Sequence, residues 1–102
     1  MKIYIYGKTY DTKTAKLIGM YKYYYPEDSH FWLEALYVTK KGDYFLLTED
    51  GPYTLPGSFK KISPQSFESA KDWAYDKLDA DAYIAWFGEA TIQTDNNYPM
   101  SG

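Results

Sequence analysis

The chain has 102 residues, a formal net charge of −3, thirteen tyrosines, one histidine, and no cysteine or arginine. That length suits one domain with a single core, and the absence of cysteine excludes disulfides, thiolate metal sites and a cysteine nucleophile. One histidine and no arginine leave little acid–base or phosphate-clamping chemistry, whereas tyrosine offers broad contact area at low entropic cost.

Five phenylalanines and three tryptophans join the tyrosines, and a core does not readily hold this many phenol hydroxyls, so several tyrosines are expected at the surface. Residues 2–6 alternate β-formers, and Gly7-Lys8 is a turn signal before Thr9-Tyr10, which predicts a small hairpin. Asp11 or Thr12 is expected to cap a short helix over residues 14–18, stopped by Gly19. Residues 20–25 read as a tyrosine-rich strand ending at the turn cluster Pro26-Glu27-Asp28-Ser29.

The clearest pattern is two β-rich runs, residues 31–39 and 44–48, around Lys40-Lys41-Gly42-Asp43, which predicts an antiparallel hairpin. Alternation puts Phe31, Leu33, Ala35 and Tyr37 on one face and Trp32, Glu34, Leu36 and Val38 on the other. Both faces are mostly apolar, so one is expected to meet a helix and the other a loop or a partner. Glu49-Asp50-Gly51-Pro52 is expected to end the hairpin, and residues 53–61 to form an irregular loop.

Ser63-Pro64 reads as a helix start, with the helix running over residues 64–78. Phe67, Ala70, Ala74 and Leu78 form its apolar stripe with Trp73 at the border, and Lys71 and Asp72 turn to solvent. Asp79 or Asp81 restarts the chain into a second short helix, residues 82–87, with Gly88 as a left-handed cap. Residues 91–102 read as a frayed tail after a single domain over residues 1–90.

Charge is unevenly spread: residues 1–63 sum to +2 and residues 64–102 to −5. The acidic third, with Asp72, Asp76, Asp79, Asp81 and Glu89, repels phosphate backbones and would attract a basic protein groove; the alternative is a solvated helix face. His30 reads as an exposed turn histidine rather than a metal ligand. Asp79-Ala80-Asp81 lacks the glycine and distal glutamate of a calcium loop. Neither a nucleophile–base pair nor a glycine-rich phosphate loop is visible, so no catalytic residue, metal or cofactor is expected.

Tyr21, Tyr23, Tyr24 and Tyr25 with Lys22 could stack single-stranded bases, with Lys40-Lys41 and Lys60-Lys61 on phosphates. The competing reading of the same strip is a strand with one face of core tyrosines and the other of amphipathic surface cover; in contact with a protein partner, the surface expected is Tyr21, Tyr23, Tyr25 and Trp32. No apolar run reaches membrane-spanning length, and a cytoplasmic protein is expected.

The segments Lys2-Ile3-Tyr4, Gly7-Lys8-Thr9-Tyr10-Asp11-Thr12-Lys13-Thr14-Ala15-Lys16, Leu36-Tyr37-Val38-Thr39-Lys40-Lys41-Gly42-Asp43-Tyr44-Phe45-Leu46, Ile62-Ser63-Pro64, Ala70-Lys71-Asp72-Trp73 and Asp79-Ala80-Asp81-Ala82-Tyr83 with Phe87-Gly88 together resemble a family of small acidic proteins carried by phages and plasmids of low-GC Gram-positive bacteria. The resemblance spans about residues 1–90. Most members of that family have no assigned function, and some proteins of the same mobile-element setting are anti-CRISPR inhibitors of type II-A Cas9; the function expected is therefore inhibition of a host nuclease by protein–protein contact, with no enzymatic activity because the site ingredients are missing. The shared motifs are a turn, a hairpin and a capped helix, which carry over no functional residue. The fold expected from the residues is α+β: an antiparallel sheet of three to five strands packed against one long and one short C-terminal helix.

Overall fold

The computed structural model describes residues 1–28, 30–52 and 59–88. Strands β1 (Lys2–Ile5) and β2 (Lys8–Asp11) pair antiparallel, with Ile5 opposite Lys8 across the two-residue turn Tyr6-Gly7. Both turn residues have positive φ, 48° and 78°, as a turn matching the right-handed strand twist requires. Gly7 adopts this freely, while Tyr6 does so at a cost on the order of 1 kcal/mol.

The expected helix over residues 14–18 is instead the beginning of a strand. The Asp11 carboxylate accepts the Lys13 N–H and its carbonyl accepts those of Thr14 and Ala15, which closes one turn and leaves nothing to propagate it. Lys16 onward then gains a ladder of cross-strand bonds by pairing with residues 30–38.

Strands β3 (Lys16–Tyr25), β4 (His30–Val38), β5 (Tyr44–Pro52) and β6 (Phe59–Gln65) form one antiparallel sheet in that order. The β4–β5 hairpin is the expected one, except that Glu49-Asp50-Gly51-Pro52 prolongs β5 opposite residues 30–33 instead of ending it. Ser63-Pro64 lies in β6 opposite Leu46 and Phe45 rather than starting a helix. As the edge strand, β6 tolerates a residue with no N–H to donate.

Helix α1 (Phe67–Lys77) begins three residues later than expected. Its cap is Ser66, whose side chain accepts the Ser69 N–H at 3.0 Å. Helix α2 (Ala80–Tyr83) is capped by Asp79 and runs into a π-helical turn, Ile84–Gly88. Gly88 is therefore not a left-handed cap; in the described residues, positive φ belongs to Tyr6, Gly7 and Gly42.

Two apolar clusters hold these pieces together, one on each face of the sheet. Leu36 packs with Ala70, Ala74 and Phe87, joined by Ile18, Trp73 and Leu78. The two alanines let α1 approach the sheet closely. Gly19 serves the same end, because a Cβ there would stand 2.6 Å from the Leu78 methyl carbons.

On the opposite face Phe45 packs with Tyr10 and Ile62, stacked on Tyr37 at 5.1 Å and edge-on to Tyr10 at 5.5 Å. The cover on this face is the β1–β2 hairpin, where the sequence leaves a loop or partner open. Leu36 and Phe45 are both fully buried, each contributing roughly 1.5–3 kcal/mol through burial.

Candidate functional site

Period-two alternation along β3 sends Tyr21, Tyr23 and Tyr25 to the α1 side of the sheet and Met20, Lys22 and Tyr24 to the other. The register sets Tyr21 opposite Glu34, Tyr23 opposite Trp32 and Tyr25 opposite His30. α1 lies over Leu36 and stops short of this end, leaving a cleft of about 410 Å³ lined by Tyr21, Tyr23, Tyr25, Trp32 and Lys77. All four aromatic residues expected at a contact surface are thus brought together.

The walls of the cleft are fixed by specific contacts. Glu34 accepts the Trp32 indole N–H at 2.9 Å through one oxygen and the Trp73 indole N–H at 2.7 Å through the other. These charge-assisted bonds join β4 to α1. Tyr23 meets Tyr25 edge-on at 4.4 Å, and Tyr25 meets the His30 ring at 5.8 Å.

His30 is not an exposed turn residue: it opens β4, is partly buried and pairs with Asp50. The Lys77 ammonium sits 4.6 Å from the Tyr21 ring centre, a cation–π contact, and 3.8 Å from Asp76. Tyr23 and Tyr25 keep 46% and 43% of their surface, which leaves ring faces and hydroxyls for a second molecule.

The expected acidic residues do not join this cleft as a group. Asp72 and Asp81 point to solvent, Asp76 lies beside Lys77, and the Asp79 carboxylate is committed to the Ala82 N–H at 2.8 Å. Glu89 and the tail over residues 91–102 lie outside the described residues.

The expected base-stacking strip is split, since Tyr24 and Lys22 face away from Tyr21, Tyr23 and Tyr25. Lys40-Lys41 lies in the β4–β5 turn, eight residues along from Trp32, roughly 25 Å at strand rise. Among the described residues, no group of three or more histidine, aspartate or glutamate side chains could hold a metal, and no helix is long and apolar enough to cross a membrane.

Lys77, Glu34 and Asp50 are site components that sequence reasoning did not single out, and it placed Trp73 at the border of a helix stripe and His30 in a turn without joining either to the tyrosines. For Lys77 a signal exists: it follows Trp73 by four residues, so the two share one flank of α1. At the opposite end of the sheet, Lys8 and Asp43 form an ion pair at 2.9 Å. The Asp43 carboxylate raises the Lys8 pKa above 10.5, first by hydrogen bonding and then by its charge.

Comparison with known protein families, with curated proteins and with solved structures finds no match to this chain.

Proposed function

We propose that this protein is a non-enzymatic protein-binding module whose contact surface is the Tyr21–Tyr23–Tyr25–Trp32 cleft. The observation that carries the reading is the convergence of these four aromatic side chains, with Lys77, on one cavity whose walls are held by the Glu34 bonds. Rigid aromatic groups with polar tips are the side chains on which binding energy concentrates. An aromatic floor without a nucleophile–base pair or metal set supports contact rather than turnover.

The resemblance to proteins of phages and plasmids supplies the partner to test first. The protein is then an inhibitor of a host nuclease in the bacterial cytoplasm, an anti-CRISPR that binds a type II-A Cas9 and blocks DNA binding or cleavage. The alternative, a binder of single-stranded nucleic acid, is weakened by the turn of Lys22 and Tyr24 to the other face.

Purified protein added in increasing molar ratio to Cas9 cleavage reactions from several type II-A orthologues tests the partner. Stoichiometric inhibition that Tyr23→Ala and Trp32→Ala abolish is the expected result. No inhibition at large excess sinks the nuclease reading, and salt-sensitive binding of free oligonucleotide would move the function to the alternative.

A further inference from the structure

A second concave surface lies on the other flank of α1. Residues 75 and 77 are two apart, which on a helix turns them to opposite sides; Lys77 closes the aromatic cleft, and Tyr75 opens a separate notch. Tyr75, Leu78, Ala80, Tyr83 and Ile84 enclose about 310 Å³. Leu78 anchors it to the core, and Tyr75 meets Tyr83 edge-on at 5.5 Å. Tyr75 is 76% exposed and Ile84 49% exposed, so the walls are apolar and open to solvent.

Its rim is acidic. Asp72 stands three residues before Tyr75 on α1 and Asp81 three before Ile84, each at helical-neighbour spacing of the residue it flanks, while Asp79 lies between Leu78 and Ala80 in the extended link that joins the two helices. All three are exposed. Lys71, half-buried and four residues before Tyr75, offsets one of these charges.

Carboxylates around an apolar floor repel the phosphates of nucleic acids and anionic lipids, and they attract ammonium and guanidinium groups. A cavity of this volume suits one leucine- or phenylalanine-sized side chain. We propose that the notch docks a single apolar side chain flanked by lysine or arginine on a partner protein. It is a contact surface separate from the aromatic cleft and does not depend on that cleft being occupied.

The test is a titration of the isotope-labelled full chain, followed by amide chemical shifts at low ionic strength. The probe is a synthetic peptide with one leucine among lysines and arginines; one control replaces the basic residues by glutamate, a second replaces the leucine by serine. The expected result is a set of shifts concentrated at residues 75–84 with the basic peptide alone, weakened about tenfold by Tyr75→Ala and by Asp81→Lys. Both positions are exposed, and unchanged spectra of the free variants verify folding.

Shifts centred on Tyr21 and Tyr23 instead, equal binding of either control, affinity undiminished by both substitutions, or no shift at millimolar peptide each overturn the proposal. Each of these outcomes leaves the Cas9 assay of the aromatic cleft to be judged on its own result.

Discussion

The two ends of the four-stranded sheet use the same residue class for opposite purposes. At the end that holds Leu36, Phe45 and Ile62, the sheet is closed on both faces, by α1 and by the β1–β2 hairpin, and its aromatic rings are buried against one another. At the end that holds Tyr21, Tyr23, Tyr25 and Trp32, β3 and β4 run beyond the helix, and the rings are arranged around a cavity. Aromatic content alone therefore does not say whether a strand builds core or contact surface. What covers it decides.

The sharpest way to break this contrast is to remove the same chemistry from each end. Phe45→Ala should cost about 3–5 kcal/mol in urea denaturation, as expected for a fully buried ring. A loss below about 1 kcal/mol would show that the closed end is not closed.

Glu34→Gln tests the boundary between the ends. An amide has a single acceptor oxygen for two indole N–H groups and presents its own N–H to the other, so a loss of about 1.5–3 kcal/mol is expected. Stability matching wild type would mean the two indoles do not depend on this carboxylate.

Tyr23→Ala should lower stability by less than about 1 kcal/mol, because the side chain is nearly half exposed, while weakening partner binding at least tenfold, about 1.4 kcal/mol. The reverse pattern, a large stability loss with intact binding, would make the open end structural.

The smallest effect concerns Lys8, which pins the hairpin to the β4–β5 turn at the closed end. Because its folded pKa is raised above 10.5, its contribution is fully present below that value and lost as pH rises through the folded pKa. An NMR titration should show Lys8 deprotonating later than in Asp43→Asn; identical titration curves would remove the ion pair from solution.

Much of this arrangement is legible in the sequence where period-two alternation acts alone. The β4–β5 hairpin and the common face of Tyr21, Tyr23 and Tyr25 both follow from it. Where two local signals compete, the tertiary context chooses. Ser63-Pro64 is a stronger helix start on paper than Ser66, yet pairing of Ser63 and Pro64 with Leu46 and Phe45 draws that segment into the sheet and passes the cap to Ser66.

The segment over residues 14–18 fails as a helix for a related reason: it is too short to compete with a ladder against β4. Glu34 and Lys77 stayed hidden because their roles depend on how far α1 reaches across the sheet. No local pattern encodes that distance.

The carboxylate of Glu34 also has a dynamic consequence. It holds one indole from the wall of the cleft and one from α1, so an occupant that immobilises Trp32 also restrains the helix that carries Trp73. Native-state hydrogen exchange would register this as slower opening of the α1 amides, Ala70 and Ala74 among them, when the cleft is filled. Exchange at those amides unchanged by an occupant would confine the effect of Glu34 to its two hydrogen bonds, whereas slowed exchange would make the helix a reporter of an event on its neighbouring sheet.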